Sequence, residues 1–257
     1  MKKILLSVAG YDPTSGAGVS LDLRIFSYLH FQGMAVLTAI TSQNTKQVKK
    51  LQCVPAELIR HQYKTLSEDV AISGIKVGMV GCGENIEVIK KILSRSPNIP
   101  RVIDPVFRSS SGKWLLEKQS ILRYMEAISG KASILTPNIE EAGLIARKKI
   151  KNIEDMKEAA KIISILTKTP CLIKGGHLPG RTVDILYDGD KFHFFKKNKF
   201  NKSVHGTGCF LSSSLLCYLA KGKSLENACL LATELTYNAI RKAIRVGKGQ
   251  HIFSFPF

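Results

Sequence analysis

Long apolar runs are missing from this sequence of 257 residues. No stretch reaches the ~18 consecutive apolar residues of a membrane-spanning helix, so we expect no membrane contact. Metal-binding cysteine pairs are also missing, because none of the six cysteines belongs to a CxxC motif, which argues against a zinc site. The cysteines lie scattered in apolar stretches, as reduced core thiols of a cytoplasmic protein would. We find no internal repeat, low-complexity tract or linker, and we predict a single domain over residues 1–257.

Acidic residues are scarce: the sequence contains 20 Asp and Glu residues and 38 Lys and Arg residues. Its formal net charge is therefore +18. Such an excess would suit binding to nucleic acid or to a membrane surface. However, the sequence contains no basic tract interleaved with aromatic residues and no recognisable DNA-binding module. We therefore interpret the charge as a lysine-rich surface that attracts phosphorylated small molecules, and we expect no nucleic-acid partner.

Short apolar segments of strand length alternate with amphipathic segments of helix length. The strand candidates, rich in β-branched residues, are Ile4–Val8, Met34–Ile40, Ile75–Val80, Arg101–Ile103, Ala132–Leu135 and Cys171–Lys174. The helix candidates are Val19–Phe31, Ala56–Ser67, Glu84–Ser94, Lys118–Ala127, Ile139–Arg147, Asp155–Leu166, Gly208–Ala220 and Leu225–Ile244. This alternation predicts an α/β fold with a mainly parallel central sheet and helices on both faces. Thr182–Tyr187 and Lys191–Phe195 flank an Asp-Gly turn and predict a β-hairpin.

Two glycines bracket a threonine at Gly206–Thr207–Gly208, directly before Cys209 and an apolar helix candidate. Glycine lets the backbone turn sharply and approach a ligand closely. A helix start presents amide groups without partners and a partial positive charge. The stretch therefore predicts an anion-binding loop, with a plain tight turn as the alternative. Because a thiol at a helix start tends to have a lowered pKa, we expect the pKa of Cys209 to be lowered.

Other polar residues follow strand candidates, where the carboxyl ends of parallel strands bind ligands. Gly10 and Asp12 follow the first strand. The amide of Gln43, after the second, suits the edge of a heteroaromatic ring because it offers both a donor and an acceptor. Asp104 follows a later strand and suits Mg²⁺ or its waters.

Three more polar residues follow the last two strand candidates. Asn138 and Glu141 are three residues apart, which is also the spacing of a capping box. Lys174 precedes two glycines and can place a positive charge near a triphosphate. We interpret His177, just beyond them, as a loop histidine.

Together these residues resemble the ribokinase-like family of small-molecule kinases, and within it the hydroxymethylpyrimidine and phosphomethylpyrimidine kinases of thiamine biosynthesis. The stretches that carry the resemblance are Ala9–Gly10, Asp12, Gly16–Gly18, Thr38–Ala39, Thr41, Gln43–Thr45, Lys76–Met79, Asp104–Val106, Thr136–Asn138, Glu141–Ala142, Lys174–His177 and His205–Cys209. The resemblance implies a ribokinase-like fold. It also implies phosphorylation of 4-amino-5-hydroxymethyl-2-methylpyrimidine and its monophosphate, with ATP and Mg²⁺ as cofactors, by a cytoplasmic homodimer.

The resemblance also implies a role for each candidate site residue. The loop Gly206–Thr207–Gly208 would be the anion hole, and Cys209 would be the catalytic base. The residues at the substrate would be Gly10, Asp12, Gln43, Met79 and Val106. Those at ATP would be Asn138, Lys174, Thr207 and Gly208, and those at the metal would be Asp104 and Glu141.

The sequence departs from the family's pattern at Tyr11, at Thr14–Ser15 and in the tail after Gly249. Since Tyr11 borders the expected substrate pocket, two alternatives stay open. One is a pyridoxal or pyridoxine kinase of vitamin B6 salvage, whose substrates are also hydroxymethyl heteroaromatics. The other is a basic nucleic-acid-binding protein on a scaffold that has lost kinase activity.

Overall fold

The computed structural model describes residues 2–176, 182–198, 200 and 202–256. Its strands form one sheet of nine strands, in the order β3-β2-β1-β4-β5-β6-β7-β8-β9. The strands are β1 (Ile4–Tyr11), β2 (Gln32–Gln43), β3 (Val48–Cys53), β4 (Ile72–Val77), β5 (Arg101–Ile103), β6 (Ile134–Leu135), β7 (Cys171–Ile173), β8 (Thr182–Tyr187) and β9 (Phe192–Lys197). The six strands β1, β2, β4, β5, β6 and β7 are parallel, whereas β3, β8 and β9 pair with their neighbours in antiparallel fashion.

Helices connect the parallel strands and close the chain. They are α1 (Gly18–Tyr28), α2 (Ala56–Asp69), α3 (Ile86–Ser94), α4 (Ile121–Ile128), α5 (Ile139–Ala146), α6 (Ile153–Thr167), α7 (Thr207–Ala220) and α8 (Leu225–Arg241). Asn138, Asn152 and Ser224 cap α5, α6 and α8 by accepting the backbone N–H three residues on. In the described part of the chain, no helix has the length and apolar character needed to cross a membrane.

The two faces of the sheet are covered by different helices. In β1, Leu5 is buried in a cluster with residues of α1, α7 and α8, whereas Leu6 and Val8 are buried in a second cluster with residues of α2 to α6. Successive side chains of a strand point to opposite faces. Burial on both faces explains why the parallel strands are apolar along their length. The α/β fold with helices on both faces, predicted from the alternation, is therefore confirmed.

The edges of the sheet differ most from the sequence prediction. The hairpin expected at Thr182–Phe195 is present as β8 and β9, and it extends the central sheet. Strand β3 was not predicted. Its residues Lys49 and Lys50 are exposed on the edge of the sheet, where lysine discourages pairing with another chain. These charged residues interrupt the apolar pattern by which a strand is recognised in a sequence.

Candidate active site

A cavity of about 820 Å³ lies beyond the carboxyl ends of the parallel strands. It brings together all the candidate site residues predicted from the sequence, which are Gly10, Asp12, Gln43, Met79, Asp104, Val106, Asn138, Glu141, Lys174, Gly206, Thr207, Gly208 and Cys209. These residues come from loops that are distant in the chain, as expected where parallel strands end at one edge. His177 lies outside the described residues.

The loop before α7 has the geometry of an anion-binding turn. Gly206 is the N-cap of α7 and has a φ of +79°, a left-handed conformation that favours glycine. A Cβ at this position would lie 1.9 Å from the carbonyl oxygen of Gly16, so any side chain would displace one of the two loops. Helix α7 begins at Thr207, and the amides of its first turn have no acceptor within the helix. These amides line the cavity as a set of donors for an anion.

Cys209 lies where two helices begin. It belongs to the first turn of α7, and the backbone N–H of Gly18, the first residue of α1, acts to lower the pKa of its thiol. Burial nevertheless raises the pKa of the Cys209 thiol to about 11, and the nearby positive charge of Lys76 offsets this only in part. The expectation of a lowered pKa was therefore wrong, because removal of the thiolate from water outweighs the helix start.

An ion pair that sequence reasoning missed lies next to Cys209. Lys76 Nζ donates to both carboxylate oxygens of Asp22, at 3.0 and 2.9 Å, and neither side chain is exposed. The hydroxyls of Ser7 and Ser213 also donate to Asp22, at 2.6 and 2.7 Å. Burial alone would lower the pKa of Lys76, but the Asp22 carboxylate raises it above its ordinary value, so the lysine carries its charge. The sequence did carry a sign of this ion pair: one charged residue stands in an otherwise apolar strand, β4, and one of opposite charge stands in an apolar helix, α1.

A second ion pair, on the floor of the cavity, joins two predicted site residues. Lys174 Nζ donates to Asp104 Oδ1 at 2.6 Å, and the hydroxyl of Thr136 donates to the same oxygen at 3.3 Å. Both side chains reach the glycine loop. A Cβ on Gly208 would lie 3.0 Å from Lys174 Nζ and 3.3 Å from Asp104 Oδ2. Gly208 thus leaves room for these two charges directly beside the amides of α7.

Asn138 and Glu141 form a capping box at the start of α5. The Glu141 N–H donates to Asn138 Oδ1 at 2.9 Å, and the Asn138 N–H donates to Glu141 Oε2 at 2.7 Å. Burial raises the pKa of Glu141 to about 8; Lys174 counteracts this and Asp104 adds to it. The Glu141 side chain therefore caps the start of α5 and also places a buried carboxyl group at the cavity.

The donor set on this side of the cavity fits a magnesium ion. Asp104 and Glu141 supply carboxyl oxygens, and burial disfavours the charged form of Glu141, which a bound cation would stabilise. Mg²⁺ is commonly bound by one or two protein carboxylates together with waters and phosphates. The described residues contain no group of three or more His, Cys, Asp or Glu side chains suited to a metal, so any such ion would depend on those other oxygens.

A hydrogen-bond network centred on the Asp12 carboxylate occupies the opposite end of the cavity. Asp12 accepts hydrogen bonds from the backbone N–H groups of Thr14 and Ala17, at 2.9 and 3.0 Å, and lies 2.8 Å from His205 Nε2. Burial raises the pKa of Asp12, but the hydrogen bonds from His205 and Thr14 lower it more, and the net shift is downward. Asp12 thus holds the loop before α1 in addition to lining the cavity.

His205 belongs to the motif before α7 and connects two loops of the cavity. Its Nε2 also lies 2.9 Å from Nε2 of Gln43, so this ring connects the loop after β1 with the end of β2. Gln43 also accepts a hydrogen bond from the Thr41 hydroxyl at 3.2 Å. His205 and Thr41 therefore fix the orientation of the Gln43 amide. A fixed orientation is what an amide needs in order to form specific hydrogen bonds with the edge of a heteroaromatic ring.

The side chain of Met79 packs directly against the backbone of Gly10 on the wall of the cavity. A Cβ on Gly10 would lie 1.8 Å from the terminal methyl of Met79, so glycine admits the methionine side chain at this place. The backbone oxygen of Met79 accepts a hydrogen bond from Thr38 at 2.5 Å, which fixes the loop after β4. Together with Val106, these residues give this end of the cavity an apolar wall.

An aromatic wall beyond Gly206 was not predicted. The rings of Phe200 and Tyr237 lie 4.5 Å apart, and Lys197 Nζ lies 5.4 Å from the Tyr237 ring. All three residues line the cavity together with Thr233 and Thr236. Lys197 ends β9, Phe200 follows three residues later, and the others belong to α8, so no glycine motif marked any of them.

Comparisons with known proteins agree with this geometry. The model of the phosphomethylpyrimidine kinase family matches residues 12–254. A hydroxymethylpyrimidine/phosphomethylpyrimidine kinase from Aquifex aeolicus is 37% identical over 254 residues, covering 98% of this chain and 100% of the relative. The solved phosphomethylpyrimidine kinase from Clostridium difficile is 37% identical, with a TM-score of 0.80 over 93% of this chain and 100% of that one. The pyridoxal kinase from Staphylococcus aureus in complex with AMP-PCP is 30% identical, with a TM-score of 0.90 over 98% and 93% of the two chains.

Proposed function

The chain belongs to the phosphomethylpyrimidine kinase family, and from this premise we propose its substrates, cofactors and site roles. It is a phosphotransferase of thiamine biosynthesis that phosphorylates 4-amino-5-hydroxymethyl-2-methylpyrimidine and its monophosphate. One observation carries the assignment of the site. The Gly206–Cys209 loop, the Asp104–Lys174 pair and the Asp12–Gln43–His205 network line one cavity, so an acceptor and a nucleotide can meet there.

We propose that the nucleotide lies along α7 and the aromatic wall. The rings of Phe200 and Tyr237 offer apolar surface for a base, and Gly206 leads from them to the first-turn amides. Lys174 and the amides of Thr207 and Gly208 would hold phosphate oxygens of ATP. Mg²⁺ would be held by Asp104 and Glu141, near Asn138, and when bound it would neutralise charge on the transferring phosphoryl group.

The acceptor then occupies the end lined by Gly10, Asp12, Gln43, Met79 and Val106. The ring packs against the apolar wall, while the oriented amide of Gln43 contacts a polar edge of the heterocycle. This position directs the hydroxymethyl group toward Cys209 and the amides of α7. Phosphoryl transfer depends mainly on positioning and on charge stabilisation, so donors fixed by the backbone contribute most of the catalysis.

Cys209 has a limited share in this mechanism. Because burial raises the pKa of the thiol to about 11, the protonated form predominates at pH 7. The thiol therefore positions the acceptor hydroxyl, and only its minor thiolate form can accept the hydroxyl proton, while the amides stabilise the phosphoryl group.

The Cys209→Ala variant tests this share. General-base catalysis contributes about 10²–10⁴-fold, and we expect the kcat of the variant to fall by about 10²-fold with little change in ATP affinity. Steady-state kinetics measures the fall, and Cys217→Ala, in the same helix but outside the cavity, is the matched control. An unchanged kcat in Cys209→Ala would remove the thiol from the mechanism.

The activity itself is tested by ADP release with MgATP and three acceptors: the pyrimidine alcohol, its monophosphate and pyridoxal. We expect the highest kcat/KM for the two pyrimidines. The alternative is a pyridoxal kinase, favoured by the TM-score of 0.90 to the Staphylococcus aureus enzyme, and it predicts the highest kcat/KM for pyridoxal. Salt-dependent DNA binding without ADP release would instead favour a nucleic-acid-binding protein.

We also propose that the enzyme works as a homodimer in the cytoplasm. The proposal follows from the resemblance noted in the sequence, and the free cysteines of the described chain agree with a reducing compartment. Sedimentation equilibrium measures the mass in solution, and the mass of a single chain of 28.3 kDa would contradict the dimer.

A further inference from the structure

A segment beyond α8, Gly247–His251, has no part in the proposed mechanism, yet one of its residues lines the cavity. This residue is the half-buried Gln250. We propose that Gln250 is a positioning residue that fixes the acceptor end of the cavity, so that it controls the use of the acceptor and not of the nucleotide. The inference rests on the proposed function, in which that end receives the pyrimidine.

The Gln250 side chain joins two loops that are distant in the chain. Its Oε1 accepts a hydrogen bond from the Ser110 hydroxyl at 2.7 Å, and its Nε2 donates to the Ser203 hydroxyl at 2.6 Å. A side-chain amide offers one acceptor group and one donor group. Here each group is used toward a different loop, so the amide bridges them.

Both loops carry residues of the acceptor end. Ser110 lies four residues after Val106, which belongs to the apolar wall. Ser203 lies two residues before His205, whose ring contacts the Gln43 amide at 2.9 Å. The bridge therefore fixes the apolar wall relative to the hydrogen-bond network on the other side of the acceptor.

The backbone of the same segment holds a third part of the acceptor end. The N–H of Gln250 donates to the Thr45 oxygen at 2.9 Å, and the N–H of Gly249 donates to the Thr45 hydroxyl at 3.1 Å. A Cβ on Gly249 would lie 1.9 Å from the Thr45 oxygen, so glycine allows the two backbones to approach this closely. Since Thr45 lies two residues after Gln43, the segment also supports the end of β2.

The segment is itself held by contacts that do not involve the Gln250 side chain. The N–H of His251 donates to the backbone oxygen of Ser203 at 3.0 Å. Phe253 is buried and packs on Phe210 of α7, with the ring centroids 4.4 Å apart. A change confined to the Gln250 side chain should therefore leave the backbone of the segment in place.

The nucleotide end has no comparable link to Gln250. The residues assigned to ATP are Asn138, Lys174, Thr207 and Gly208, and in the described part of the chain none of them forms a hydrogen bond with Gln250. Its hydrogen bonds go to segments around the acceptor. Loss of the side chain should therefore affect the acceptor selectively.

The test compares Gln250→Ala with the wild type by steady-state kinetics. Loss of one hydrogen bond between neutral groups changes an equilibrium by roughly 2- to 10-fold, and two are lost here. We expect kcat/KM for the pyrimidine alcohol to fall about 10-fold, while KM for ATP stays within about twofold. An equal loss for both substrates, or no loss for the acceptor, would overturn the proposal. The matched control is Gln52→Ala, an exposed glutamine of β3 outside the cavity lining, which should behave as the wild type.

Two further variants separate positioning from general support of the fold. Gln250→Glu keeps an oxygen for each serine hydroxyl, so its kcat/KM for the acceptor should lie within about threefold of the wild type. If Ser110 acts through Gln250, the double variant Ser110→Ala/Gln250→Ala should be no slower than Gln250→Ala alone. Absence of rescue by glutamate, or additive losses in the double variant, would contradict the bridge.

Failure of this inference can be distinguished from failure of the proposed function. If the wild type releases no ADP with any of the three acceptors, the proposed function fails. Calorimetric binding of the pyrimidine alcohol then tests the inference alone. It stands if Gln250→Ala weakens binding about 10-fold while Gln52→Ala does not, and it falls if the three proteins bind equally or none binds.

Discussion

Two lysine–aspartate pairs lie on either side of the glycine loop, and they differ in what surrounds them. The Lys76–Asp22 pair has no exposed surface, and two serine hydroxyls complete the contacts of its carboxylate. In the Lys174–Asp104 pair the lysine is 15% exposed and faces the cavity. Neither side chain of the first pair is exposed to water, whereas the second pair can exchange its contacts with a ligand. We therefore expect similar chemistry to support the fold in one place and ligand binding in the other.

This contrast has a general physical basis. A buried ion pair stabilises a protein little against an apolar replacement, but loss of one partner leaves an uncompensated charge in a medium of low polarity. Where water reaches the pair, the remaining charge is solvated and the cost is smaller. The two pairs should therefore respond differently to the same substitution.

The largest effect is expected for Lys76→Met, which leaves the Asp22 carboxylate buried without a cation. Loss of one partner of such a pair costs about 3–5 kcal/mol, a large part of the stability of an ordinary domain. Urea unfolding followed by circular dichroism measures the free energy of unfolding. The double variant with Asp22→Asn should recover part of the loss, and an unfolding midpoint equal to that of the wild type would contradict the structural role.

Lys174→Met should affect catalysis far more than stability. Removal of one preorganised charge at a transferring group lowers kcat by about 10²–10³-fold, while water in the cavity can solvate Asp104. Steady-state kinetics and the same urea unfolding should be measured on one preparation. A loss of unfolding free energy as large as that of Lys76→Met, with kcat unchanged, would reverse the comparison.

The smallest effect is expected for a third pair, at the surface, between His193 and Asp188, whose side chains lie 2.8 Å apart. The hydrogen bond to Asp188 raises the pKa of His193, so the pair stabilises the fold below the ordinary histidine pKa of about 6.5 and this contribution disappears as pH rises through the raised value. His193→Gln should cost less than about 1 kcal/mol at pH 5.5 and nothing at pH 9. Urea unfolding at both pH values tests this, and a cost that grows with pH would contradict it.

The sequence predicts the chain's local elements better than its charge interactions. Cys171 to Lys174 and Arg101 to Ile103 could be recognised as strands because short apolar runs ended at polar residues. The order of parallel strands then implied that Asp104, Asn138 and Lys174 would meet. Such an argument needs only the periodicity of the chain and the rule that ligands bind at the carboxyl ends of strands.

What the sequence did not predict depends on tertiary contacts. The raised pKa of Cys209 follows from its burial, which no local pattern shows. Lys76 lies within an apolar strand, and its partner Asp22 lies 54 residues earlier in the chain. His205 likewise contacts Asp12 across 193 residues. Residues whose roles arise from distant partners leave only a weak signal in a single sequence.

The close approach of Gly206 to Gly16 has a consequence for how the enzyme is made. The turn at Gly206 packs against the loop around Gly16, which leaves the ribosome about 190 residues earlier. The amide cradle can therefore form only after α7 has been synthesised and has docked on α1. A nascent chain that stops before this helix contains all nine described strands but lacks the amides of α7, so we expect it to have no activity.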